Sequence, residues 1–235
     1  MFFWRGVSSV DAAARQLDAD LADMEERADR APPQQRASLF NRAGDQCAAM
    51  AGREKLAVSY YGRSINCYIE AGMYGPAAVL CRKLISFSPE VVRAHCTLAV
   101  LALLDRQSGD AAREIDQYVR AARRSRTERL AIPRLRMMAE TTEEPALRHV
   151  LVDALRSLGD MDGANQVLRG MVAVAPAERE ARLVHVATLD PHEIWGRVWI
   201  ETPAPLDGRR RPLGDLALRE DLPPPPPGDR WGKSQ

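Results

Sequence analysis

The sequence predicts an all-α chain: a row of antiparallel helix hairpins followed by an irregular tail. Three observations carry this. Apolar residues recur at three- and four-residue spacing from residue 10 to about 188. Gly or Pro interrupts that pattern at short intervals. No convincing strand pattern occurs before residue 190. Helices with very short connections between them must lie beside one another, each running back along the last.

Each element has its own signal. Ala14, Leu17, Leu21, Met24 and Ala28 form one stripe among acids and arginines, an amphipathic helix ended by Ala31-Pro32-Pro33. Pro33 is suited to open the next helix, which runs to about Met50 before Gly52. Further helices are expected at about 53–71, 75–87, 90–106 and 109–123. Beyond an arginine-rich stretch they continue at about 127–141, 145–158, 161–174 and 177–188. Gly72, Pro89, Gly109, Pro145, Gly159 and Pro176 mark the breaks. The chain therefore divides into an aromatic N-terminal segment (1–9), a helical body (10–188) and a Pro-rich tail (189–235).

The body repeats itself. One copy reads Tyr61-x2-Ser64-Ile65-x2-Tyr68, Gly72, Ala77-x3-Cys81-x2-Leu84 and Pro89. Shifted by 34 residues, His95, Leu98, Ala99, Ala102, Ala111, Ile115 and Tyr118 take the same offsets. A third copy lies 53 residues further on: Arg148-x2-Leu151-Val152-x2-Leu155, Gly159, Ala164-x3-Leu168-x2-Met171 and Pro176. The longer spacing leaves room for one extra helix. A partial copy, Phe40-x2-Ala43-Gly44-x2-Cys47, precedes them. Small residues at Ala77, Ala111 and Ala164 let helices approach closely, and large residues at the other offsets fill the grooves between pairs.

Over residues 37 to 176 this pattern resembles the tetratricopeptide repeat, a 34-residue helix–turn–helix unit. Ser64 and Ile65 stand where the family usually has Leu-Gly, and the middle copy lacks its proline. The resemblance implies a right-handed solenoid that binds proteins or peptides on its concave face. It places Asn66, Arg93, His149, Asp153 and Arg156 toward that groove. Some relatives clamp a partner's terminal carboxylates with Asn and Lys. Asp45 follows Gly44 where that clamp needs Asn, and its lysines are missing, so a clamp of that kind is disfavoured.

Composition narrows the function classes. The chain has 235 residues, with 33 Lys plus Arg against 32 Asp plus Glu, a net charge of +1. That balance gives no whole-chain argument for nucleic acid or an anionic membrane. Only Lys55, Lys83 and Lys233 are lysines, which with the many alanines suggests a GC-rich bacterial source. Met1-Phe2-Phe3-Trp4-Arg5 lacks the basic start and long apolar run of a secretory signal, so a cytoplasmic location is expected. Phe2, Phe3 and Trp4 are either a frayed end, a few residues folded on the first helix, or a wedge for a membrane surface or a partner.

Chemistry is sparse. Cys47, Cys67, Cys81 and Cys96 form no C-x-x-C pair and have no His at metal spacing, so they are read as small buried hydrophobes. His95, His149, His185 and His192 fit no metal motif, and no phosphate loop or nucleophile elbow is present. His192-Glu193 near Trp195 is the most site-like cluster, and it reads more simply as a polar rim around an anchored Trp. No enzyme, cofactor, metal or small-molecule substrate is expected.

Two charged features remain. Arg120, Arg123, Arg124, Arg126, Arg129, Arg134 and Arg136 face a single acid, Glu128, within 120–136. The stretch suits an acidic peptide or a lipid phosphate, or it is a solvated face balanced by Glu114 and Asp116. Nucleic acid is the least favoured ligand, because no aromatic interleaves the arginines. In the tail, Gly208-Arg209-Arg210-Arg211-Pro212 makes an exposed basic turn. Trp195 and Trp199 suit a short extended segment or one helical turn, Leu213, Leu216, Leu218 and Leu222 a short helix, and Pro223–Pro227 a polyproline stretch. Trp231 near the end suggests a partner contact. The leading expectation is a non-enzymatic scaffold for protein partners. The rivals are an accessory subunit on the cytoplasmic side of an inner-membrane complex and a nucleic-acid regulator acting through 120–136.

Overall fold

In the computed structural model, residues 4–105, 108–169 and 176–188 are described, with side chains from 12 in the first helix and from 178 in the last. Among the described residues every regular element is a helix, and there are ten. They are α1 (Trp4–Asp29), α2 (Pro33–Ala48), α3 (Glu54–Glu70), α4 (Tyr74–Phe87), α5 (Val92–Leu104), α6 (Ser108–Arg124), α7 (Glu128–Thr141), α8 (Pro145–Ser157), α9 (Met161–Arg169) and α10 (Pro176–Ala187). The order and breaks match the sequence periodicity. One boundary differs: α1 begins at Trp4, six residues before the expected body. No proline stands in its way, and the single Gly6 costs a helix only about 1 kcal/mol. The part of the expected helix 161–174 beyond Arg169 lies outside the described residues.

Helix ends explain the turns. After α3, α6 and α8 the chain closes the same way. A left-handed residue (Gly72 at φ 69°, Arg126 at 55°, Gly159 at 86°) donates to the carbonyl three back. The next N–H reaches five back: Met73 to Tyr68, Thr127 to Ala122, Asp160 to Leu155. This double bond pattern satisfies the last carbonyls of each helix. Glycine adopts the left-handed state freely, whereas Arg126 does so at a steric cost.

Consecutive helices pack on one another from α1 to α6 and again from α7 to α9. The joint between α6 and α7 is slight, and α6 rests instead on α8. The last helix does not simply continue the row. α10 packs on α5 and α7. Thr97 Oγ1 on α5 donates to the Ala187 carbonyl at 2.8 Å, and the Arg93 guanidinium donates to that of Thr188. α5 is consequently buried from Arg93 through Leu101. Its sequence foretells this: Arg93 is its one charged residue, and a helix apolar on all faces must be surrounded.

The small-residue offsets of the repeat are all enclosed. Ala77, Ala111 and Ala164 have no exposed surface, nor do Cys81, Leu84, Ile115 and Tyr118. The third copy departs here. Leu168 is 43% exposed and Val167 turns inward instead. α9 is short, and only its Gly163, Ala164 and Val167 side meets α7 and α8.

Contact clustering divides the chain into Met1–Gly196 and Arg197–Gln235, and every described residue belongs to the first unit. No described helix is long and apolar enough to cross a membrane.

Candidate interaction surfaces

α3 anchors the N-terminal helices through two adjacent tyrosines that diverge around its axis. On one side Arg63 lies 3.9 Å from the Phe40 ring centroid and 5.5 Å from that of Tyr60. Glu25 of α1 accepts from Arg63 at 2.6 Å and from the Tyr60 hydroxyl at 3.1 Å. On the other side the Tyr61 hydroxyl donates to Asp45 at 2.7 Å, and Lys83 of α4 binds the same carboxylate over the Tyr61 ring. Burial and the neighbouring carboxylates push both phenols up, so they remain neutral donors. Asp45 is therefore committed within the fold.

The residues expected in a groove separate into two groups. His149, Asp153 and Arg156 are all exposed on α8. Positions four and seven apart put them on one face, and Arg156 pairs with Asp153 at 3.5 Å. Asn66 is half-buried on α3. Arg93 is only 5% exposed and ties α5 to α10. Burial thus takes it out of an open groove, because the end of α10 sits over it.

The arginine-rich stretch divides in the same way. Arg136 is bound bidentately by Asp160, with Nε to Oδ2 at 2.6 Å. Arg123 donates to the Ser157 carbonyl, and Arg120 pairs with Asp116 at 2.9 Å. Arg134 is half-buried beside the enclosed Tyr118 hydroxyl. Arg124, Arg126 and Arg129 are exposed and make no ion pair among the described residues. What reads in sequence as one basic run is five exposed arginines, of which Arg120 pairs within its own helix and Arg123 reaches across to α8, and two half-buried ones, Arg134 and Arg136, that pack against other helices.

The Arg136–Asp160 pair does more than neutralise charge. Asp160 immediately precedes α9, and its Oδ1 accepts from the Gly163 N–H at 3.1 Å, capping the helix. Any side chain at Gly163 would overlap both the Asp160 carboxylate and the Arg136 guanidinium. The guanidinium holds the Asp160 carboxyl below its ordinary value. Asp160 directly before a short helix was a readable cap signal. Its partner on α7 carried no signal, since 24 residues separate the two.

The four cysteines are free and buried. Burial pushes the Cys47 thiol up to about 11 and raises Cys67 and Cys81 as well, so these three are poor nucleophiles. No group of three His, Cys, Asp or Glu side chains among the described residues could hold a metal. Two cavities flank α10. One of about 510 Å³ lies toward its start, against Leu103, Leu147 and Leu183, with Arg179 paired to Glu143 at its rim. The other, about 300 Å³, lies at its end against α5 and α7. Phe2, Phe3, the side chain of Trp4, and Trp195, Trp199 and Trp231 lie outside the described residues, as does the whole expected tail. Compared with known proteins, the chain matches no family model, no curated protein and no solved structure.

Proposed function

We propose that the chain is a non-enzymatic scaffold: a right-handed solenoid of helix hairpins resembling tetratricopeptide repeats, binding a protein partner through exposed first-helix faces. One observation carries the reading. Most first-helix offsets of the repeat are enclosed in each copy (Tyr61, Ser64 and Ile65, then His95, Leu98 and Ala99, then Leu151, Val152 and Leu155), while Tyr68, Ala102 and Arg148 are half-buried. Helices that spend those positions on their neighbours present what is left to solvent. On α8 that remainder is His149, Asp153 and Arg156, a compact polar face with both charge signs.

Site-specific photo-crosslinking in native lysate tests this. A crosslinker placed at Asp153 is expected to trap a discrete partner, whereas one at Glu26 on α1 does not. The paired change His149→Ala and Arg156→Ala lowers capture by about tenfold. Equal trapping at both positions, or capture untouched by the pair, would sink the assignment of this face.

A further inference from the structure

The cavity of about 510 Å³ toward the start of α10 has an apolar floor and an acidic rim. Leu103 and Leu104 of α5, Leu147 of α8 and Leu183 of α10 line it, and Tyr74 of α4 adds an aromatic wall. Its volume lies in the range of small-ligand sites, roughly 300–1,000 Å³. The hydroxyl protons around it already have acceptors. Thr141 and Thr142 donate to the Met137 and Met138 carbonyls of α7, Ser108 donates to Glu144, and Tyr74 donates to Glu180 at 2.9 Å. Arg179 aside, the rim is left with carboxylate lone pairs, at the exposed Glu143, Glu144 and Glu180. Arg179 is paired with Glu143. It also interacts elsewhere in the chain, and neither Glu144 nor Glu180 shares in that. Those two carboxylates have no ion pair among the described residues.

The ordinary reason for acids here is the start of α8, since Glu144 stands at its cap and a helix N-terminus attracts negative charge. That field is offset. α4 and α8 start at the cavity, α5 and α7 end there, and each end carries about half a charge, so the four cancel. α10 reaches the cavity only from Arg179, where its own end field is fading. Arg148 donates to the Thr142 carbonyl and does not line the cavity; counted in full, it still leaves one carboxylate in excess. Exposed carboxylates alone hold a cation weakly, since each such pair is worth only about two- to fivefold in water. The leucine floor supplies the rest. A cation on an aliphatic stem lays the stem against Leu103 and Leu104 and keeps its head at the rim. An acidic ligand gains the same floor but meets like charge above it.

We propose that this cavity docks a basic, apolar segment of a partner protein, with a Lys or Arg side chain paired at the rim with Glu144 and Glu180 and apolar neighbours on the leucine floor. The proposal deepens the scaffold reading, on which it rests for the partner being a protein, and it uses different residues from the His149, Asp153 and Arg156 face.

The test uses the full chain and a short fluorescent peptide of alternating leucine and arginine, followed by anisotropy at fixed ionic strength. Saturable binding is expected. Glu144→Gln/Glu180→Gln keeps the acceptors for Ser108 and Tyr74 and weakens binding by about tenfold. Asp23→Asn/Glu26→Gln removes the same charge from exposed sites on α1 and leaves binding unchanged. Two changes to the probe leave the protein untouched, so they decide even where a variant unfolds. Serine for leucine weakens binding by about tenfold or more, and glutamate for arginine abolishes it. A photoreactive leucine in the peptide attaches at residues 103–104, 141–147 or 179–183. The proposal is overturned by equal affinity in wild type and Glu144→Gln/Glu180→Gln, by an equal fall in Asp23→Asn/Glu26→Gln, by a serine peptide that binds as well, or by attachment elsewhere on the chain. Peptide binding without partner crosslinking at Asp153 keeps this cavity and removes the α8 face; crosslinking at Asp153 without peptide binding removes the cavity alone.

Discussion

The junction of α2 with α3 and the junction of α7 with α9 are both close helix contacts enabled by a glycine, yet they are built from opposite materials. At the first, Gly44 faces the flat of the Tyr61 ring, and an added Cβ would sit 2.6 Å from two ring carbons. Tyr61 in turn meets Phe87 edge-on, with centroids 6.1 Å apart. At the second, Gly163 makes room for an ion pair that also caps α9. The aromatic junction draws on area and shape, which act at any pH and salt. The ionic one depends on a proton and on solvent. The difference teaches that the two ends of the helical body respond to different stresses.

The sharpest way to break that contrast is Gly44→Val. Tyr61 is 2% exposed and its hydroxyl is held by Asp45, so the ring cannot yield. The expected loss is about 3 kcal/mol, read by urea unfolding. Gly44→Ala should still destabilise, despite the roughly 1 kcal/mol by which alanine favours a helix. A neutral Gly44→Ala would show the ring to be mobile.

Asp160 comes next. Asp160→Ala removes both cap and ion pair and is expected to cost about 2 kcal/mol. Asp160→Asn keeps an acceptor for Gly163 and loses only the pair. Arg136 is 40% exposed, so solvent screening holds that loss to about 1 kcal/mol or less. The pH response follows from the lowered Asp160 carboxyl. Its contribution is complete above the ordinary aspartate value of 3.8 and disappears as pH falls through the depressed folded value. Acid titration of wild type against Asp160→Asn, monitored by α9 amide exchange, should therefore converge only at the acid end. Curves that stay parallel would separate the pair from α9 stability.

The smallest effect is a gain. Arg126 occupies the left-handed position that Gly72 and Gly159 fill elsewhere. Arg126→Gly should raise stability by about 0.5 kcal/mol, after the extra freedom of the unfolded chain is deducted. A loss in thermal unfolding would mean that the Arg126 side chain makes a contact worth more than its strain.

Much of this architecture was legible in the sequence. Helix order followed from Gly and Pro punctuation, and the core followed from the repeat offsets of Ala77, Ala111 and Ala164. Those signals are local, set by neighbours three and four residues apart. Contacts between distant segments were not legible. Nothing near Arg136 announces Asp160, and nothing near Arg93 announces Thr188. Arginine shows the same limit, since Arg124 and Arg134 read alike in a charge run while one faces solvent and the other a buried tyrosine. Exposure is decided by the partner helix, which composition does not record.

The seating of α10 has a kinetic consequence. Its bonds to Thr97 and Arg93 span 90 and 95 positions of chain, whereas most other ties join helices adjacent in sequence. Closing a long span costs entropy before any contact repays it, and local pairs form sooner. The helical row therefore assembles first and α10 arrives last, placing the final lid on α5. In the reverse direction α10 is the first to leave. Transient departure would uncover α5, the most apolar helix of the body, making this latch a point where folding, proteolysis and aggregation compete.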